Sequence, residues 1–314
     1  MPHLGSSRAC AHGCIAAEAR AESGGNSGRA SCIAHRVSIR RVEPLHALAY
    51  LAFGLFGGVI GGLLGVGGAI GVIPLATLVL DPPKDLLQAA VMVSNAAVAF
   101  TAYRRYRRAG SVDWTAARRI APAALATVGG GVALSLVVDS RGFRVLFAIT
   151  LAAIAVREAV QLVRGTGAGR DAAPAPGWAK GTVIGTAMGT LSGLLGVGGG
   201  VVGIPLMRTW LHMPMKRAVV TSVCIMVPLT ALGACIKCAT LAGASASDGT
   251  SALGSALAIA ACLLPTAVVG GWLGASLNLR ITGNAVRWVL VAWLPAAATW
   301  MAWPVVASWL AGPR

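Results

Sequence analysis

Long apolar runs separated by short charged clusters set the rhythm of this chain. Residues 45–80 are 36 consecutive positions without one Asp, Glu, Lys or Arg. As one helix they would extend about 54 Å at 1.5 Å per residue, whereas a bilayer core about 30 Å thick takes about 20 residues. The run must break, and Gly65-Val66-Gly67-Gly68, followed by Pro74, marks where. Glycine opens backbone conformations closed to other residues, and proline lacks the amide donor. The pattern predicts a spanning helix over 45–64 and a short one ending near 80, with Pro74 helping to break the run. Further apolar runs cover 86–103, 120–138 and 143–163, the last interrupted by Arg157 and Glu158. After a Pro- and Gly-containing linker at 164–180 come 181–207, 218–236, 249–279 and 284–310. Trp114, Trp178, Trp210 and Trp309 fall near segment ends, where amphipathic rings favour the lipid–water boundary.

The runs repeat. Residues 62–68 and 193–199 both read GLLGVGG, and a shift of 131 aligns 54–75 with 185–206 at 12 identical positions of 22, Pro74 matching Pro205. Farther on, Ala90–Ser94 (AVMVS) matches Ala218–Ser222 (AVVTS), Pro122 matches Pro265, Gly131 matches Gly274, and Arg144 matches Arg287. Self-similarity at corresponding places along two halves marks a duplicated unit. The predicted fold is therefore an all-α polytopic membrane protein of about eight transmembrane helices in two four-helix repeats, each starting with a Gly-broken helix. Residues 1–43 precede a first transmembrane repeat at 44–163, a linker at 164–180 and a second repeat at 181–314.

Composition agrees. Hydrophobic residues make up 56% and charged residues 11%, against about 25% charged in a soluble domain, so a charged skin cannot be built. The net charge of +16 would suit nucleic acid, but Arg104, Arg105, Arg107 and Arg108, then Arg118 and Arg119, cluster between apolar runs. That placement fits a cytoplasmic loop and excludes nucleic acid as the partner. Seven cysteines give no even framework, and Cys235-x-x-Cys238 lacks the further ligands a structural zinc needs. No cofactor is expected. Residues 1–43 hold six Arg and three Glu without an apolar core, so they read as a disordered basic tail rather than a signal peptide. An over-extended translation start is the alternative.

With Arg36, Arg40 and Arg41 inside, eight crossings also put 104–119, the linker and the C terminus inside. Arg208, Lys216 and Arg217 then face outside, against the positive-inside rule. A partial crossing at each Gly motif would invert the second repeat. Eight spans with re-entrant breaks, and a cytoplasmic N terminus, are the expectation.

The Gly motifs do not match a dinucleotide fingerprint, because Gly65-x-Gly67-x-x-x-Gly71 has the wrong spacing and no strand precedes it. Gly54, Gly58 and Gly62, and likewise Gly181, Gly185, Gly189 and Gly193, recur every four residues, a stripe suited to close helix packing. The clustered Gly65, Gly67, Gly68 and Gly196, Gly198, Gly199, Gly200 lie on different helix faces. They predict discontinuous helices, whose restarting N-termini favour anions and which in pairs point to a transporter's binding site.

These doubled stretches, each ending in Ile-Pro-Leu (73–75 and 204–206) and followed by A-V-x-x-S, resemble the TauE/SafE sulfite exporter family over about residues 45–310. Only the first copy departs, with Ala69 where the second has Gly200. The resemblance implies an inner-membrane transporter, an exporter in the family's sense, of small anions such as sulfite, organosulfonates or related carboxylates, without ATP hydrolysis of its own. A non-transporting sensor or assembly protein on the same scaffold is the alternative, and assembly into a homo-oligomer is left open.

Ser94 and Asn95, with Thr221 and Ser222 at the matching place, offer hydroxyls and an amide to an anion; back-bonding of the hydroxyls to the preceding turn is the rival reading. His3, His12, His35, His46 and His212 all lie in the tail or near segment ends, which leaves a serine hydrolase without its base. Glu158 is the one acid expected inside a span, so no carboxylate relay is expected. Expelling an anion from a cell negative inside is downhill by about 2.3 kcal/mol per charge per 100 mV. Arg157 and Lys237 read as snorkelling cations.

Overall fold

The computed structural model describes residues 44–108, 112–163, 177–243 and 252–310. The expectations for the tail and for most of the linker lie outside the described residues. Among the described residues there are ten helices: α1 Pro44–Leu64, α2 Ala69–Val79, α3 Lys84–Arg108, α4 Trp114–Val137, α5 Ser140–Val163, α6 Trp178–Leu195, α7 Gly200–Trp210, α8 Met215–Ala242, α9 Ala252–Arg280 and α10 Gly283–Leu310. The first segment of each half is two helices. Five helices are long and apolar enough to cross a membrane: 45–64, α3, α4, α8 and α9. Apolar side chains such as Phe100, Ile149, Val156 and Val269 stand on the outer surface, where a bilayer replaces water. The chain is a multi-pass membrane protein.

Two expectations about boundaries are corrected. The arginines at 104–108 are not in a loop. They form the last turn of α3, where cations meet the negative end of the helix dipole. Asp113 then caps α4, its side chain accepting from the Ala116 amide at 3.0 Å. Nor do the prolines break the chain: the breaks fall at 65–68 and 196–199, while α2 and α7 run through Pro74 and Pro205. A proline leaves one carbonyl unpaired, four residues back, and at Pro74 the Trp293 indole N–H approaches that carbonyl, Ile70 O, at 3.4 Å.

Both breaks make hairpins. Gly61 of α1 faces Gly67 and Gly68, and Gly57 faces Val72, so α2 folds back along α1. Met188 of α6 packs on Gly199 and Gly203 of α7 in the same way. Each second arm ends on a non-glycine residue with positive φ, Asp81 at 40° and His212 at 52°.

Side-by-side contacts fix the directions. Gly54, Gly58 and Gly62 meet Leu263, Ala267 and Gly271 in order, so α1 and α9 are parallel. Helix α3 runs with them, Val98 lying against Gly271 and Arg105 donating to Ser276 at 3.1 Å. Gly181, Gly185, Gly189 and Gly193 meet Arg119, Ile120, Ala124 and Val128, so α6 is parallel to α4. Missing Cβ atoms permit these backbone contacts. Helices α4 and α8 run against α3, because Lys84 at its start donates to the Ser135 and Val138 carbonyls at the end of α4. Asp85 likewise pairs with Lys237 near the end of α8, at 2.8 Å. Helices α1 and α6 therefore enter from opposite faces, and their breaks meet inside.

Candidate functional site

The site forms where the breaks touch. Gly65 and Gly67 take φ values of 68° and 98°, and Gly196, Gly198 and Gly199 take 72°, 82° and 78°. At Gly67 a side chain is doubly excluded, since its Cβ would lie 2.7 Å from Val197 O and the backbone is left-handed. Gly200 packs on Gly65 O and on Val66. All of these residues are buried.

Helix α3 supplies the polar link. Asn95, 1% exposed, accepts from the Ala69 amide at 3.1 Å and donates to Gly196 O at 3.0 Å. One carboxamide thus joins the start of α2 to the second break. From α8, the Ser222 hydroxyl reaches Gly65 O at 3.5 Å, the reciprocal contact. The last carbonyls before each break are also satisfied. Tyr106 donates to Gly62 O and Asn278 to Leu63 O, both at 2.6 Å, while Gln88 donates to Leu194 O at 2.8 Å. Irregular backbone at membrane depth requires such internal partners.

The predicted residues divide. Gly65, Gly67, Gly68, Asn95, Gly196, Gly198, Gly199, Gly200 and Ser222 come together. Ser94 does not join them, because its hydroxyl bonds back to Ala90 O at 3.0 Å. Thr221 points elsewhere and accepts from the Asp113 amide at 3.1 Å. Sequence reasoning missed Gln88, although it lies seven residues before Asn95 and so on the same helix face. Tyr106 and Asn278 carry no such signal, since only the tertiary fold brings them to α1.

A small cavity lies against the start of α7, bounded by Val66, Ile70, Ile154, Glu158, Gly200 and Val201. Glu158, buried at 1% exposure, binds Arg208 of α7 at 2.5 Å. Arg157 donates to Pro205 O and to Thr209, each at 2.8 Å. Lys237 is fully buried and bonded to Asp85 and to Ser135, the latter at 3.0 Å. Lys237 does not snorkel but is held by polar partners inside the helix bundle, while Arg157, 29% exposed, is held by its partners at the end of α7. Two arginines against one carboxylate leave a net positive charge beside α7.

A family profile described as Sulfite exporter TauE/SafE matches residues 50–301. No curated protein and no solved structure matches the chain.

Proposed function

From the premise that this chain belongs to the TauE/SafE sulfite exporter family, we propose that it carries small sulfite-type anions (sulfite, organosulfonates or related carboxylates) out across the inner membrane, through a site at the meeting of its two Gly breaks. The observation that carries this reading is the junction itself. Two helices restart there, deep in the protein and from opposite sides, and each restart carries a positive dipole end. The halves form inverted five-helix repeats, α1–α5 and α6–α10. The reciprocal packing of α1 on α9 and α6 on α4 supports this layout.

Orientation follows from charge. Arg104, Arg105, Arg107 and Arg108 end α3, Arg118 and Arg119 start α4, Arg208 ends α7, Lys216 and Arg217 start α8, and Arg280 ends α9. The helix directions gather all of these on one face. The positive-inside rule makes that face cytoplasmic, and the conflict over Arg208, Lys216 and Arg217 disappears. The start of α1 then lies on the outer face, in place of the expected cytoplasmic N terminus. Because Glu158 is neutralised by Arg208, the membrane potential drives export without a carboxylate relay.

Purified protein in liposomes tests the function. Efflux of sulfite or methanesulfonate is expected to rise when the compartment holding the anion is made negative. Flux that ignores the imposed potential but follows a pH gradient rejects the driving force. The absence of flux for sulfite, sulfonates and oxalate alike rejects the transport reading.

A further inference from the structure

We propose that the second break alone holds the anion, and that the Ser192 hydroxyl is the side-chain donor that selects it. This inference rests on the transport reading above and assigns the binding to one of its two breaks. Ser192 is fully buried, and its hydroxyl has no hydrogen-bond partner. A buried hydroxyl left unpaired costs about 1–3 kcal/mol, so a ligand that accepts from it resolves an otherwise unexplained loss. Its position fits that task. Met188, four residues earlier on the same face of α6, packs against Gly199 and Gly203, which places Ser192 on the face turned to the start of α7. Its counterpart Gly61 faces Gly67 and Gly68, the matching turn before α2.

The start of α7 is also open in a way that the start of α2 is not. The leading amide of α2, on Ala69, is bonded to Asn95. Position 223, which matches Asn95, is Val223, and no side chain among the described residues accepts from the Gly200 amide. The small cavity touches this turn at Gly200 and Val201 and α2 at Ile70, and Ser192 lies outside its lining. Charge points the same way. Near the end of α7, about 12 Å beyond Gly200, Arg157 and Arg208 exceed Glu158 by one positive charge, whereas Met301 and Thr77 stand at the matching places beside α2. The ligand class is a compact oxyanion, with one oxygen accepting from Ser192 and another from the α7 amides. Sulfite and the sulfonate headgroup both meet that description.

The test compares wild-type protein with Ser192→Ala in proteoliposome counterflow, using sulfite and methanesulfonate. Loss of one hydrogen bond to a charged ligand is expected to raise the half-saturation concentration about tenfold or more, with maximal flux much less affected. Sulfite should also lose its stabilising shift of thermal unfolding in detergent. If Ser192→Ala does not fold, Ser192→Gly, which installs the residue found at position 61, carries the same comparison. Unchanged half-saturation in a variant of a wild type that transports overturns the assignment and leaves the transport reading intact. A wild type that neither moves nor is stabilised by either anion removes the reading itself, and the assignment with it.

Discussion

At the first break the leading amide of α2 belongs to Ala69 and is bonded to Asn95; at the second it belongs to Gly200 and meets no described side-chain acceptor. The two turns share GLLGVGG, yet Gly68 keeps a right-handed φ of −65° while Gly199 takes 78°. The difference originates in neighbours outside the shared heptad. Gly61 leaves room for Gly68 to pack against α1, whereas Ser192 puts a side chain at the same place. Asn95 on α3 is matched by Val223 on α8. Identical motifs therefore supply identical kinks, and the residues that face each kink decide whether it is sealed or open. One hairpin is held shut by protein; on the reading proposed above, the other is left for a ligand.

The largest contrast is ionic. Arg208 and Glu158 bind at 2.5 Å beside α7, whereas beside α2 Thr77 stands against the Met301 sulfur at 3.4 Å. Breaking a buried pair by removing one member costs about 3–5 kcal/mol, so Arg208→Met should lower the unfolding midpoint in detergent strongly. The double change Arg208→Thr with Glu158→Met copies the Thr77–Met301 pair beside α2 and should recover most of that loss. No recovery would mean that the charges serve something other than each other. Next comes the junction. Gly200→Ala drives a methyl into Gly65 O and Val66, an overpacking against backbone that should cost about 3 kcal/mol. The mirror change Ala69→Gly should cost only about 1 kcal/mol, the helix-propensity difference. Equal effects on thermal unfolding would refute the asymmetry.

Much of this was legible in the chain. The uncharged run at 45–80 was too long for one span, and the heptad marked both kinks to within a residue. What eluded the sequence depends on contacts between distant elements. Whether α2 continues across or folds back turns on Gly57 and Gly61 admitting Val72 and Gly68, and in the proposed topology that fold-back sets the facing of each end. Thr221 and Ser222 are adjacent and chemically alike, yet a helix turns about 100° per residue, so only Ser222 meets the first break. Ser94 satisfies itself within its own helix. Gln88 could have been found from its spacing to Asn95; Ser192 was visible beside its motif, but its lack of a partner was not.

Asn95 gives a smaller effect and sharpens the comparison from the sealed side. Asn95→Ala strips an acceptor from Ala69 N–H and a donor from Gly196 O, which should cost about 2 kcal/mol, given the modest worth of hydrogen bonds inside membrane proteins. Ser222→Ala removes only the 3.5 Å contact to Gly65 O and should cost a few tenths of that, about 0.5 kcal/mol. Chemical denaturation in mixed micelles measures both. A larger loss from Ser222→Ala would place the seal on α8 instead of α3.

The smallest effect concerns the prolines. Pro74 frees Ile70 O, and the Trp293 indole N–H approaches it at 3.4 Å; Pro205 frees Val201 O, but Thr150, at the place matching Trp293, bonds back to Leu146 O. Trp293→Phe keeps an aromatic ring beside Phe56, now 4.8 Å from the indole, and loses the N–H, for about 0.3 kcal/mol. That value alone could be packing. Pro74→Ala separates the two, because an alanine amide can bond to Ile70 O within the helix. In a Pro74→Ala background the N–H should be redundant, so Trp293→Phe should there cost only its packing share. An undiminished cost in the double-mutant cycle would show that the indole serves the ring cluster and not the carbonyl. The freed carbonyls of the two hairpins would then be alike, and the contrast between the halves would rest on Asn95, Ser192 and the arginines.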